Sequence, residues 1–177
     1  MATTNLAVKQ SVTGLMGAEG KYLTFSLAEE HYGIGIRKVK EIIGMMPVTG
    51  IPQTPGYVKG VINLRGKVIP VVDLRLKFGM GQAECTERTC IIVVEVPGRA
   101  VTQLMGIVVD SVSEVVNIKG EDIEETPSFG KEVDSHYILG MAKISGGVKI
   151  LLDIDRILTP DEIDMPEVGP EESQVLK

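Results

Sequence analysis

The chain has 177 residues, 44% of them hydrophobic and 24% charged, a composition typical of a globular protein with a buried core and unlike a disordered chain or a fibrous rod. Its 24 acidic and 18 basic residues give a net charge of −6, and most of that excess lies in residues 160–177. The near-neutral remainder has no tryptophan, four tyrosines and three phenylalanines, so nucleic-acid binding is not expected.

The sequence indicates neither a membrane span nor a metal site. No apolar run reaches the length of a transmembrane helix, and the first twenty residues lack the layout of an export signal, so we predict a cytoplasmic protein without direct membrane insertion. Cys85 and Cys90 lie far in sequence from His31 and His136, which gives no zinc-ligand spacing. We interpret both cysteines as free thiols and predict no metal and no cofactor.

In chain order, the apolar pattern has a period of two far more often than 3.6. Leu23, Phe25 and Leu27 share one face of residues 22–27, as in a half-buried strand. Similar runs rich in valine and isoleucine predict strands at residues 58–64, 67–72, 90–96, 103–109, 137–144 and 148–152. Residues 73–78 and 153–158 are predicted as short helical turns, each opened by an aspartate that can cap the first free amides.

The chain also repeats itself in three blocks that keep the same order. Residues 33–43 match residues 106–116 at an offset of 73, and residues 60–78 align without a gap on residues 140–158 at an offset of 80. Between them, residues 54–57 match residues 126–129. Such a repeat favours two related halves of the fold.

Each half supplies about five short strands, which suits a small closed barrel better than an open sheet. We therefore predict an all-β fold of two pseudo-symmetric five-stranded barrels packed on each other, with a shared apolar seam as a docking groove. Residues 1–19 are assigned to a flexible N-terminal tail and residues 20–88 to the first barrel with its connection. The second barrel covers residues 89–159, with a possible crossover of the N-terminal strand, and residues 160–177 form an acidic tail.

Asp73 and Asp153, which the repeat places at equivalent positions, are considered as a candidate catalytic pair. Two-lobed aspartic proteases use paired carboxylates in this way. However, Leu74-Arg75 and Ile154-Asp155 follow the aspartates here, in place of the hydroxyl residue and glycine of those enzymes. A helix cap is therefore the favoured interpretation, and a two-Asp hydrolase is kept as an unfavoured alternative.

Positions at which the two halves differ are candidates for recognition. Asn63 and Arg65 are replaced in the second half by Lys143 and Ser145. Arg65 precedes Gly66 at a strand end, where its guanidinium could hold a carboxylate or a carbonyl of a partner. An arginine that is solvated, or paired within its own chain, is an equal alternative.

Residues 57–74, YVKGVINLRGKVIPVVDL, are preceded by GIGI at 33–36 and VKEI at 39–42. Together these segments resemble the CheW family of chemotaxis coupling proteins, and the resemblance covers about residues 20–158. It implies two SH3-like five-stranded barrels, no enzymatic activity and no cofactor. It also implies a cytoplasmic adaptor in membrane-associated arrays, connecting the cytoplasmic hairpin tip of methyl-accepting chemoreceptors to the regulatory domain of the histidine kinase CheA.

The same resemblance implies a site for binding receptor or kinase. Matching positions are Val39, Glu41, Gly60, Asn63 and Arg65, with Gly106 and Val108 expected across the seam between the barrels. The recurrence of Glu41 as Glu114, and of Val39 as Val112, would by itself favour a structural role for both. An adaptor of the same fold in a different histidine-kinase pathway is the main alternative function.

Overall fold

The computed structural model describes residues 18–81, 83–98, 100–125 and 136–158. Most of the predicted N-terminal tail, the whole of the acidic tail and the repeat block at 126–129 lie outside the described residues. Within them, no helix is both long and apolar enough to cross a membrane.

The strands are β1 (Gly20–Leu27), β2 (Glu30–Gly35), β3 (Val39–Gly44), β4 (Val58–Leu64), β5 (Lys67–Asp73), β6 (Cys90–Pro97), β7 (Thr102–Val109), β8 (Ser111–Ile118), β9 (Ile123–Glu124), β10 (Ile138–Ile144) and β11 (Gly147–Leu152).

Two single-turn helices follow the last long strand of each half: α1 (Leu74–Lys77) after β5 and α2 (Ile154–Ile157) after β11. Turns of 3-10 helix at Ile36–Lys38 and Gly120–Asp122 occupy two of the connections. The seven strands predicted from the period of two are confirmed to within two residues at each end. The prediction of a predominantly β fold with short helical turns is therefore confirmed.

Strands β3 to β7 form the first sheet, in the order β3-β6-β7-β5-β4. Its two edges meet because Thr49, a few residues after β3, exchanges two backbone hydrogen bonds of 2.9 Å with Val61 of β4. Strands β5 and β7 pair in parallel, and the other neighbours pair antiparallel. We call this closed sheet barrel one.

The second sheet, barrel two, has the order β8-β1-β2-β11-β10-β9. It closes in the same way. Strand β8 pairs with β1 at one edge, and the chain then continues through Gly120–Asp122 into β9, which pairs with β10 at the other edge. Strands β11 and β2 pair in parallel, as β5 and β7 do in barrel one. The five-stranded plan is thus present twice, with β8 and β9 together taking the place of β3.

The boundary between the barrels differs from the boundary between the sequence halves. Barrel one is the continuous segment 39–109, while barrel two combines residues 20–35 with residues 111–152. The division predicted between residues 88 and 89 therefore falls inside barrel one, directly before β6. The physical reason is that the hairpin opening each half, β1–β2 or β6–β7, pairs with strands of the other half, so the whole N-terminal hairpin crosses over.

Apolar side chains fill the fold in three clusters. Barrel one and barrel two each enclose a small cluster, and a central cluster of eighteen described residues, each at most 7% exposed, lies between them. The apolar run of strand β6 is unbroken because both faces of the strand are buried: Ile91 and Val93 point into barrel one, whereas Ile92 and Val94 point into the central cluster. The predicted apolar seam exists, but its side chains are buried rather than lining an open groove.

Candidate interaction site

Glu41 and Arg65 meet on the outside of barrel one. The guanidinium of Arg65 donates from Nη1 to Oε1 of Glu41 at 2.8 Å and from Nη2 to Oε2 at 2.5 Å. These hydrogen bonds, together with the charge of Arg65, hold the pKa of the Glu41 carboxyl below its ordinary value, and they raise the pKa of Arg65. Arg65 thus pairs with a carboxylate of its own chain, which was the alternative to a free arginine that holds a group of a partner.

The turn between β4 and β5 positions Arg65. Both central residues of this two-residue turn have positive φ, 52° for Arg65 and 86° for Gly66, as a type I′ turn requires. Asn63 supports the turn, because its Oδ1 accepts a hydrogen bond of 2.9 Å from the amide of Gly66. The side chain of Arg65 is 72% exposed despite its ion pair. It is therefore fixed in direction and still accessible to a partner.

A second ion pair lies beside the first. Lys40, the strand neighbour of Glu41, approaches Glu95 of β6 with Nζ 2.6 Å from Oε2, and hydrogen bonds from Lys40 and then from Thr102 lower the pKa of Glu95. Both pairs border an open depression of about 640 Å³ on barrel one. We call this surface, lined by Lys40, Glu41, Arg65, Lys67, Glu95, Thr102, Gln103 and Leu104, the charged face.

Three of the other positions implied by the resemblance lie beneath the surface. A Cβ on Gly60 would sit 1.9 Å from the carbonyl oxygen of Thr49, and one on Gly106 would sit 2.8 Å from Cγ2 of Ile91. Val108 is 6% exposed and belongs to the cluster inside barrel one. Because β7 pairs with β5 and β6, Gly106 and Val108 lie in the same sheet as Glu41 and not across a seam from it.

Val39 is intermediate between these groups. It begins β3, is partly buried against the central cluster and pairs with Val94 of β6. The structure therefore brings all seven sequence-derived positions into barrel one, with Glu41, Asn63 and Arg65 on the outside.

Barrel two has no matching charged face among the described residues. At the positions equivalent to Lys40 and Arg65 it carries Ser113 and Ser145. Glu114, the counterpart of Glu41, is instead fixed through its backbone, since its carbonyl accepts a hydrogen bond of 2.8 Å from the hydroxyl of Thr24. The charged face thus distinguishes one barrel from the other.

Both barrels do share an exposed apolar pair, which the sequence reasoning missed. Ile42 and Val68 of barrel one are 45% and 57% exposed, and their counterparts Val115 and Val148 of barrel two are both 50% exposed. Recurrence of apolar residues at the repeat offsets of 73 and 80 is a signal that could have identified them. Exposed apolar residues at equivalent positions suit contacts with a partner of similar symmetry.

The two aspartates considered for catalysis are helix caps. Oδ1 of Asp73 accepts hydrogen bonds from the amides of Arg75 and Leu76 at the start of α1, and Oδ1 of Asp153 accepts one from the amide of Asp155 in α2. Nζ of Lys59 also lies 3.7 Å from Oδ2 of Asp73. In the parts of the chain that the structure describes, no group of three His, Cys, Asp or Glu residues is placed to hold a metal ion.

Two closed, filled β-barrels whose distinctive residues lie on an outer face are typical of a double-barrel scaffold protein. The CheW-like domain model matches residues 21–162, and the chain belongs to this family. A chemotaxis protein CheW of Klebsiella aerogenes is 40% identical over 143 residues, 81% of this chain and 84% of the relative. One from Rhizobium meliloti is 36% identical over 140 residues, covering 79% and 88% of the two chains.

A solved structure extends the likeness from sequence to fold. The crystal structure of the scaffolding protein TtCheW from Thermoanaerobacter tengcongensis matches with a TM-score of 0.72 at 37% identity, over 83% of this chain and 97% of that one. The resemblance found in the sequence is confirmed. The chain is a chemotaxis scaffold protein of the CheW family.

Proposed function

We propose that this protein is a non-enzymatic adaptor that couples transmembrane chemoreceptors to the histidine kinase CheA. It is recruited from the cytoplasm to membrane-associated arrays, where it binds the cytoplasmic hairpin tip of the receptors and the regulatory domain of the kinase. Family membership supports the proposal, and so does the placement of Asp73 and Asp153 as helix caps rather than as a facing catalytic pair.

The observation that carries the proposal is the exposed Glu41–Arg65 pair on the charged face. A bidentate guanidinium–carboxylate pair holds its donors and acceptors in fixed directions, so a partner can bind without first ordering them. Asn63 stabilises the turn from which Arg65 projects. We assign direct contacts to these three residues, while Val39, Gly60, Gly106 and Val108 shape the sheet beneath them.

The exposed apolar pairs support a second kind of contact. Ile42 and Val68 on barrel one, and Val115 and Val148 on barrel two, are exposed apolar residues at equivalent positions. A kinase domain built from two similar barrels could be contacted through these residues of either barrel, so that each adaptor joins two neighbours. Many modest contacts of this kind would then stabilise a lattice through effective concentration.

Reconstitution of three components tests the proposal: this chain, a receptor cytoplasmic fragment and CheA, with co-sedimentation and kinase activity as readouts. Arg65→Ala is expected to fold, because it removes an exposed side chain whose surface ion pair contributes little stability, and to lower recruitment of receptor or kinase at least several-fold. Lys143→Ala is the matched control, since it breaks an exposed ion pair with Glu124 (2.8 Å) on barrel two.

Unchanged recruitment by the folded Arg65→Ala variant would remove the charged face from the binding site. Failure of the wild-type chain to join receptor and kinase would contradict the coupling function itself. Binding to a receptor-free kinase of another pathway would then favour the alternative adaptor.

A further inference from the structure

Two ion pairs hold the connections at which the chain passes between the barrels. Nη1 of Arg75 in α1 lies 2.7 Å from Oδ2 of Asp110, the residue between β7 and β8. Nζ of Lys38, between β2 and β3, lies 2.7 Å from Oδ2 of Asp155 in α2. All four side chains are partly buried, with exposed fractions between 17% and 39%.

The two pairs occupy equivalent places with the charges reversed. Arg75 and Asp155 are 80 residues apart, the offset that relates the C-terminal blocks of the repeat. Asp110 aligns at the offset of 73 with Arg37, the neighbour of Lys38. In barrel one a basic residue of the helix, Arg75, therefore meets an acidic residue of the connection, whereas in barrel two an acidic residue of the helix, Asp155, meets a basic residue of the connection.

Parallel strand pairing explains why each helix meets the connection that it does. Strands β5 and β7 run in parallel, so α1 after β5 and Asp110 after β7 emerge at the same edge of barrel one. Strands β11 and β2 place α2 beside Lys38 in the same way. Which hairpin pairs with a given half thus determines which charged residues of the helix and the connection come into contact.

We propose that this charge reversal selects the crossed arrangement of the two halves. The repeat allows a competing fold in which each hairpin pairs with its own half, with β2 beside β5 and β7 beside β11. In that fold Arg75 would face Lys38, and Asp155 would face Asp110. Like charges at both connections disfavour it, while opposite charges at both connections stabilise the crossed fold.

An exchange of the two helix charges tests the proposal in the isolated full-length chain. The variant Arg75→Asp with Asp155→Arg keeps the net charge of the wild type and places like charges at both connections. Its midpoint of urea unfolding is expected to fall by about 0.5 M, and the deficit is expected to shrink in 1 M salt. The variant Lys38→Asp with Asp155→Lys reverses one pair but keeps its attraction, so it is expected to recover most of the midpoint that Lys38→Asp alone loses.

The proposal would be overturned if the exchanged variant unfolded at the urea midpoint of the wild type. It would also be overturned if adding Asp155→Lys to Lys38→Asp recovered less than half of the midpoint that Lys38→Asp loses. If the exchanged variant does not fold, the midpoints of Lys38→Asp and of Lys38→Asp with Asp155→Lys still measure the attraction at that connection, on which the proposal depends. Asp110→Asn serves as a further control, because it removes the charge while its side-chain oxygen can still accept the amide hydrogen bond of Ala28, which is 2.7 Å long. The midpoint of urea unfolding is expected to fall less in Asp110→Asn than in the exchanged variant.

Discussion

The backbone at Gly60 leaves no space for a side chain. Its φ is +139°, and an added Cβ would overlap the carbonyl oxygen of Thr49 at 1.9 Å, where the two edges of barrel one are joined. Gly60→Ala is therefore expected to cost more than about 3 kcal/mol of unfolding free energy, or to prevent folding.

Gly44→Ala is the matched control for Gly60→Ala, since the added Cβ would meet nothing within 4 Å on the neighbouring strand β3. Urea unfolding followed by circular dichroism measures both variants. A stable Gly60→Ala protein with weakened receptor binding would contradict this packing argument and favour a direct contact at Gly60.

The pKa of Glu41 reports whether its ion pair with Arg65 exists in solution. Hydrogen bonds from Arg65 lower that pKa in the folded state, so the pair stabilises the fold above the ordinary carboxyl pKa, and this stabilisation is lost as the pH falls through the lowered value. In Arg65→Gln the pKa of Glu41 is expected to rise towards its ordinary value. Carboxyl titration by NMR measures this shift, with Lys143→Ala as the variant that leaves it unchanged; an equal pKa in wild type and Arg65→Gln would exclude the pair.

Both members of that pair could be named from the sequence, but their contact could not. Arg65 stands out because the second half has Ser145 in its place, and Glu41 is part of the motif shared with the family. They are 24 residues apart, and they meet only because β3 closes barrel one beside the β4–β5 hairpin. Local sequence carries no information about that closure.

The hairpin turn that carries Arg65 combines an exposed, ion-paired side chain with a strained backbone. Arg65 and Ser145 both have a φ of 52° at the first central position of equivalent turns, a conformation that asparagine adopts more easily than either residue. Ser145→Asn is expected to raise the free energy of unfolding by about 0.5–1 kcal/mol without changing partner binding.

At the equivalent position of barrel one, Arg65→Asn is expected to leave stability unchanged or higher while recruitment falls, which would separate the turn's two roles. Urea unfolding and co-sedimentation on the same preparations measure the two effects. Destabilisation by Ser145→Asn would show that the strain argument is wrong.

The sequence predicted the strands with alternating or continuous apolar runs, and it did not predict β3 and β8 as strands. In strand β3 the exposed positions hold both Lys40 and Ile42, and Glu41 is at a partly buried position, so its pattern does not separate a polar from an apolar face. Its counterpart β8 likewise exposes Val115. Both strands were recognised as parts of the repeat and not as strands, because polar and apolar residues do not alternate regularly along either of them.

The exchange of hairpins is a property of the whole molecule that periodicity could not reveal. Residues 33–43 and 106–116 have the same pattern, so each hairpin satisfies the pairing rules of either half. Charges at the connections, such as Arg75 with Asp110, differ between the two possible arrangements. The sequence therefore predicted two barrels correctly and drew the boundary between them inside barrel one.

Because the halves are exchanged, we expect the two barrels to unfold as one unit. Barrel two is built from segments on both sides of barrel one, and the central cluster takes Leu23 from β1 and Ile92 from β6. Ile91→Val, inside barrel one, is expected to cost about 1 kcal/mol. The slowest-exchanging amides of barrel two, Leu151 among them, are then expected to lose nearly the same free energy of opening as those of barrel one.

Native-state hydrogen exchange at low urea measures that loss residue by residue. Val101→Ala, at a side chain that is 76% exposed, is the control and is expected to leave both barrels unchanged. If Ile91→Val lowered protection in barrel one alone, the barrels would open independently, and the exchanged hairpins would connect them without making them cooperative. Equal losses would instead mean that a contact on one barrel stabilises the other, so that a ligand bound to either barrel would stabilise both.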